Sequence, residues 1–153
     1  MSKAQTPLAP FPLALSFLRK KPLSREELRE KLSRVGHQEE VVDEVLKKAE
    51  SFGYVDDHAL AEILLSECNL RGKGPLWLEQ KLHHRKLQRP VIEVVVALAL
   101  QSAKKNAQKV LNRHYPGSIG SDEKPRAYRR LISRGFPPEL VEETIEESLR
   151  QEL

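Results

Sequence analysis

Five histidines, one cysteine, several adjacent carboxylate pairs and a large set of lysines and arginines are the groups in this 153-residue chain that could do chemistry. His37, His58, His83, His84 and His114 are scattered, and none shows the His-Glu-x-x-His spacing that puts two metal ligands on one helical face. A lone Cys68 can make neither an intrachain disulfide nor a cysteine-rich zinc site, and its amphipathic setting reads as that of a small, buried hydrophobe. The pairs Glu39-Glu40, Asp56-Asp57, Glu142-Glu143 and Glu146-Glu147 open or coat helices, and Asp56-Asp57 is expected to cap one, because the helix dipole favours negative charge at its start. The run Arg71-Gly72-Lys73-Gly74-Pro75 lacks the second glycine spacing and the Lys-Ser/Thr pair of a nucleotide-cradling loop. No catalytic residue, metal site or cofactor is expected, so the chain reads as a binding protein and not an enzyme.

The remaining chemistry is cationic. Arg71, Lys73, Lys81, Arg85 and Lys86 surround Trp77, the only tryptophan, and Lys104, Lys105, Lys109, Arg113, Lys124, Arg126, Arg129, Arg130 and Arg134 follow. The spacing of Arg126, Arg129, Arg130 and Arg134 puts three or four guanidinium groups on one side of one helix, suited to phosphates or to a partner's carboxylates. A partner-binding surface is therefore expected from Arg71, Lys73, Lys81, Arg85, Lys86, Lys104, Lys105, Arg126, Arg129, Arg130 and Arg134. Tyr128 is the only aromatic among the arginines, too few for a base-stacking platform, and Trp77 reads as a helix-packing residue.

The elements that must position these groups are helices, because apolar residues recur at three and four and never alternate. Leu28, Leu32, Val41, Val42, Val45 and Leu46 are matched 50 positions later by Leu78, Leu82, Val91, Ile92, Val95 and Val96. At an offset of 99, Leu131, Gly135, Leu140, Val141, Thr144 and Ile145 match Leu32, Gly36, Val41, Val42, Val45 and Leu46, with only Thr144 off-pattern. Within a copy the spacing is that of two helices, with Leu28, Leu32 and Val35 on one face of a first segment and residues 41, 42, 45, 46 and 49 on one face of a second. Ser24 with Glu27 forms a capping box, Gly36 and Gly135 stop helices, and Pro75, Pro90, Pro137 and Pro138 restart them. Another amphipathic segment precedes each pair (13–20, 57–70 and 102–114), so nine short helices are expected. The fold class is all-α: three tandem three-helix repeats (13–54, 55–101 and 102–153) in an elongated, curved solenoid after a flexible N-terminus (1–12), with residues 116–121 loose.

Composition agrees with such an array. Hydrophobic residues make up 39% of the chain and charged residues 31%, enough apolar content for a core and too little polar bias for disorder. The longest apolar run, Val94 to Leu100, falls far short of a membrane span, and Met1 to Pro12 has no secretory signature. A cytoplasmic monomer is expected. The net charge of +4 hides an alternation: +5 over residues 1–36, −7 over 37–70, +5 over 71–89, −1 over 90–100, +7 over 101–136 and −5 over 137–153. Particular helices are thus basic and others acidic.

The run Gly53-Tyr54-Val55-Asp56-Asp57, then Ala61, then residues 71–82, and some fifty residues later Arg134-Gly135-Phe136 before an acidic helix, resembles the RecX family of RecA regulators. The resemblance covers about residues 13–149. The chain departs from the family pattern at Leu60, at Leu76-Trp77 and at His37, whose counterpart in the third copy is Phe136. The resemblance implies three tandem three-helix repeats and a non-enzymatic inhibitor that binds the groove of the RecA filament on single-stranded DNA, suppressing ATP hydrolysis, strand exchange and coprotease activity in DNA repair and the SOS response. Weak, non-specific DNA binding is an accompanying expectation. The alternative from the residues is a helical nucleic-acid-binding protein that acts without RecA, since short helices joined by glycine turns also describe helix-turn-helix readers. A scaffold for some other protein is a third.

Overall fold

Helix punctuation decides where this chain turns. The computed structural model describes residues 8–149, which form α1 (Pro10–Lys20), α2 (Arg25–Val35), α3 (Glu39–Ser51), α4 (Asp57–Leu70), α5 (Pro75–His84), α6 (Arg89–His114), α7 (Lys124–Ser133) and α8 (Pro138–Ser148). Ser24 makes the expected capping box: its hydroxyl accepts from the Glu27 N–H at 3.1 Å while its own N–H donates to the Glu27 carboxylate at 2.9 Å. Gly36 ends α2 at φ +107° and Gly135 follows α7 at φ +91°, conformations that cost a side-chain-bearing residue dearly. Asp56 accepts from the Ala59 N–H at 3.1 Å at the head of α4. Asp57 reaches elsewhere, accepting from the Arg25 N–H at 2.9 Å and so satisfying an orphan donor of α2.

Eight helices stand where nine were expected, because segments 90–101 and 102–114 run together as the 26-residue α6. The first copy breaks at Phe52-Gly53, with Gly53 at φ +75°; fifty residues on stand Ser102 and Ala103, which carry no stop signal. The buried stripe Val91, Val95, Ala99, Ala103, Ala107, Leu111 continues at intervals of four across the expected boundary after Gln101. The last helix expected for the second copy and the first expected for the third are therefore one uninterrupted helix of this all-α repeat fold. Pro10 to Pro12, assigned to a flexible segment from the sequence, form the first turn of α1, where a missing N–H is harmless; residues 1–7 of that segment lie outside the described residues. Residues 116–121 are irregular but anchored, since Ile119 is buried and its N–H donates to the Ser148 carbonyl at 2.8 Å.

The chain divides into two compact units, one running to Leu60 and including Arg85–Leu87, the other formed by Ala61–His84 and the chain from Gln88 onward. The first unit packs α1, α2 and α3 around Ala14, Leu28, Leu32, Val42, Val45, Leu46 and Ala49. Val35, expected on the same stripe as Leu28 and Leu32, is instead 49% exposed at the end of α2. In the second unit α6 packs against α5, α7 and α8, and its C-terminal half shares a core with Ala127, Leu131, Phe136, Val141 and Ile145. Thr144 keeps its place in that core, fully buried, by donating its hydroxyl to the Leu140 carbonyl at 2.6 Å. No helix among the described residues is long and apolar enough to cross a membrane.

Candidate functional site

The glycines of residues 71–75 serve packing. In the second unit the Gly74 N–H donates to the Arg134 carbonyl at 2.8 Å and the Leu76 N–H to the Gly135 carbonyl at 2.9 Å, so the loop before α5 lies backbone to backbone on the loop after α7. A Cβ on Gly74 would sit 2.4 Å from the Gly135 carbonyl oxygen, and one on Gly135 would sit 2.5 Å from the Trp77 nitrogen. Only glycine at both positions permits this approach. Arg134 reinforces it, its Nη1 donating to the Arg71 carbonyl at 3.1 Å and reaching that of Gly72 at 3.4 Å. Cys68 lies beneath, its thiol donating to the Lys73 carbonyl at 3.2 Å. Burial, together with the charge of Glu67, pushes that thiol up to about 11 against the opposing pull of Lys73, so it is held unreactive.

This junction fixes a basic concavity. Lys73 from the loop and Arg126, Arg129, Arg130, Ser133 and Arg134 from α7 and its end line an open depression of about 460 Å³. Helical periodicity brings the α7 arginines to one side, opposite Ala127 and Leu131, which are buried. None of the lining cations has a carboxylate partner among the described residues. The Arg130 Nε is buried with no hydrogen-bond partner there, and its Nη1 stands 3.4 Å from the His114 Nε2. Desolvation, then the charges of Arg130, Arg134 and Arg113, hold the His114 imidazole below its ordinary range. The arrangement can bind an anion by charge-assisted hydrogen bonds.

The other expected site residues divide. Arg71 and Lys81 place their charges 5.3 Å and 5.4 Å from the ring of the half-buried Trp77, so both cations engage the tryptophan. Arg71 also pairs with Glu67 at 3.0 Å. Arg85 belongs to the first unit, where it forks onto the Glu27 carboxylate at 3.1 Å and onto the Pro22 carbonyl at 2.8 Å. Lys86 pairs with Glu30. Lys104 bridges Glu147 at 2.7 Å and Glu143 at 3.1 Å, which hold its ammonium above the ordinary range, and Lys105 is exposed on α6. The structure thus gathers Lys73, Arg126, Arg129, Arg130 and Arg134 into one site and sets Arg71 and Lys81 on Trp77. It engages Arg85, Lys86 and Lys104 with carboxylates of the fold.

Two features escape a reading of the sequence. His114 looked isolated, 16 residues from Arg130, until α6 and α7 packed side by side. In the first unit Phe11, Phe52 and Tyr54 form a cluster with ring centroids 5.8–6.5 Å apart, Phe52 and Tyr54 more than half exposed, and Lys48 lies over Phe11. Only the Gly53-Tyr54 turn signalled that something lay there.

Comparison with known proteins bears on both fold and role. Residues 13–48, spanning most of α1, α2 and α3, match the family described as RecX, first three-helix domain. A regulatory protein RecX of Deinococcus radiodurans is 32% identical over 127 residues, covering 82% of this chain, which spans 61% of that relative's length. A regulatory protein RecX of Halorhodospira halophila is 30% identical over 130 residues, covering 84% of this chain and 81% of its own. The crystal structure of RecX from Lactobacillus salivarius has the same fold, with a TM-score of 0.76 at 18% identity over 90% of this chain and 93% of that one.

Proposed function

Because the chain belongs to the RecX family of regulatory proteins, we propose that it is a non-enzymatic inhibitor of RecA. In this reading it binds the groove of the filament that RecA assembles on single-stranded DNA, as a cytoplasmic monomer without a cofactor. It thereby suppresses ATP hydrolysis, strand exchange and coprotease activity in DNA repair and the SOS response. The observation that supports this most is the open concavity of Lys73, Arg126, Arg129, Arg130 and Arg134, whose cations are left without carboxylate partners among the described residues. Five cations gathered in one depression with no carboxylate among its lining residues form a surface suited to an anionic partner. α5 and α7 are taken to face the filament, with the acidic α3 and α8 toward solvent.

A polymer of identical subunits rewards a binder that touches more than one subunit, because the second contact is nearly intramolecular. The basic face adds attraction toward the DNA-loaded filament, and with it a dependence on salt and weak affinity for naked DNA. The test is RecA's single-stranded-DNA-dependent ATP hydrolysis, titrated with the protein from well below one molecule per RecA at low and moderate salt. Loss of hydrolysis at substoichiometric protein is expected. No effect at any ratio, with tight and selective retention on one duplex sequence, would move the assignment to a nucleic-acid-binding protein that acts without RecA. Charge reversal at Arg126, Arg129 and Arg130 is expected to abolish inhibition; the exposed Arg126 and Arg129 should cost only about 0.5 kcal/mol of stability or less each. Undiminished inhibition by the folded triple variant would remove this surface from the mechanism.

A further inference from the structure

We propose that the α7 concavity is a site for clustered phosphate oxyanions and not for carboxylates, and that filling it loads a proton onto His114. This rests on the reading of the concavity as a partner-facing surface, and it names what that surface recognises.

The lining residues carry the first half. Four arginines and one lysine line a single depression together with Ser133, whose hydroxyl donates to the Arg130 carbonyl at 2.9 Å, and no carboxylate lines it. A carboxylate offers two oxygens in one plane and can be forked by a single arginine, as Arg85 forks Glu27 in this same chain. Phosphate groups present non-bridging oxygens in several directions, and successive phosphates on one chain bring charge at short, fixed intervals. Five cations approaching from a loop, a helix and a helix end match that distribution. The buried Nε of Arg130, a donor without an acceptor among the described residues, adds a hydrogen bond that an incoming oxyanion can complete.

The second half follows from the place of His114. Its Nε2 faces the Arg130 Nη1 at 3.4 Å, where a neutral imidazole can accept from the guanidinium. The charged groups acting on it are Arg130 of α7, Arg134 after that helix, and Arg113 beside it on α6, all positive. With the concavity empty, desolvation of this exposed imidazole against α7 and this repulsion together disfavour the imidazolium. An anion held by Arg130 and Arg134 offsets the repulsion, so the histidine takes up a proton on binding and, by linkage, binding tightens as pH falls.

Three probes decide the matter on the full chain at low salt: a single-stranded oligo(dT), inorganic tripolyphosphate and an oligoglutamate peptide of similar charge. Binding is read from the fluorescence of Trp77, the only tryptophan, whose backbone abuts Gly135. The oligo(dT) profile is taken between about pH 5 and 8, where histidine titrates and a phosphodiester does not. We expect at least one phosphate probe to bind tenfold or more tighter than oligoglutamate, with oligo(dT) or tripolyphosphate preferred according to whether a nucleic-acid backbone or a free polyphosphate is the ligand. Affinity should fall by up to about tenfold per pH unit as pH rises through the histidine's range. His114→Gln should flatten that slope, and Arg129→Glu should remove binding with the fold intact by circular dichroism. Oligoglutamate binding as tightly as the phosphates would overturn the ligand class, and a slope that survives in His114→Gln would overturn the proton coupling. Inhibition of RecA without any phosphate binding would sink this inference alone. Phosphate binding with the expected slope but no effect on RecA would sink the proposed function instead.

Discussion

Gly36 and Gly135 stand at equivalent places in two repeat copies, both at positive φ, yet they meet different surroundings. A Cβ at Gly36 finds nothing within 4 Å, whereas one at Gly135 would lie 2.5 Å from the Trp77 nitrogen and 2.7 Å from its Cβ. Alanine at either position incurs about 1–2 kcal/mol for the left-handed backbone, less about 0.4–1 kcal/mol returned by restricting the unfolded chain. Gly36→Ala should therefore lose about 1 kcal/mol. Gly135→Ala adds a collision with backbone, which can yield only by parting the two loops, and overpacking of that kind costs about 1–3 kcal/mol more. The difference between the two variants, about 2 kcal/mol, isolates the contact from the conformation. In urea, with a slope of about 1.5 kcal/mol per molar, it separates the two midpoint shifts by roughly 1.3 M. Circular dichroism follows both units, and Trp77 fluorescence follows the second, which holds the chain's only tryptophan. Gly135→Ala should also displace Arg134 and weaken whatever the concavity binds. Equal losses for the two variants, within about 0.5 kcal/mol, would refute the assignment of Gly135 to close packing.

Three other perturbations test the rest of the framework. Arg85→Ala strands the Glu27 carboxylate, a pair with side-chain exposures of only 20% and 17%, and should cost about 2 kcal/mol at neutral pH. Burial pushes Glu27 upward, but the Arg85 hydrogen bond and charge and the two Ser24 hydrogen bonds outweigh it and leave the group below its ordinary range. Its contribution is thus present above the ordinary carboxylate pKa and lost as pH falls through the lower folded value, so the deficit of Arg85→Ala should shrink in acid unfolding titrations. His37→Leu should stabilise the chain by about 1 kcal/mol in urea melts, since the His37 Nε2 is buried without a hydrogen-bond partner among the described residues and the equivalent positions hold Leu87 and Phe136. Cys68, buried and raised to about 11, should resist alkylation by iodoacetamide at pH 8 until the chain is unfolded; rapid labelling of the native protein would contradict its burial.

Most of the fold was legible because its signals are local. The Ser24–Glu27 box, the stops at Gly36 and Gly135 and the fifty-residue recurrence of Leu and Val each lie within a turn or two of what they specify. Where the reading failed, a template overrode the residues. A break was expected after Gln101 because the first copy has one, although Ser102 and Ala103 offer nothing to stop a helix. Val35 has the spacing of a core residue, but it occupies the last position of α2, where the chain is already leaving the core. Asp57 has the type and place of a cap, yet the helix whose donor it satisfies begins 32 residues earlier.

The candidate site was legible only in part, for a related reason. Eleven cations had equal standing in the sequence, because a charge shows there but its counter-charge does not. Pairs four apart, such as Arg71 with Glu67, can be read along one helix. Arg85 with Glu27, Lys86 with Glu30 and Lys104 with Glu143 and Glu147 are separated by 58, 56, 39 and 43 residues and emerge only when the copies pack. Once those carboxylates are assigned, the cations they hold stabilise the protein; of the seven that remain, Lys81 lies on Trp77, Lys105 is exposed on α6, and five line the α7 concavity. Uncompensated charge raises the energy of the folded chain through self-repulsion. A depression that gathers five cations with no carboxylate among its lining residues gains free energy when an anion fills it. The concavity therefore marks the place where regulation and stability meet: its occupant should raise the unfolding midpoint of the second unit by mass action, and reversing Arg129 should remove that increment.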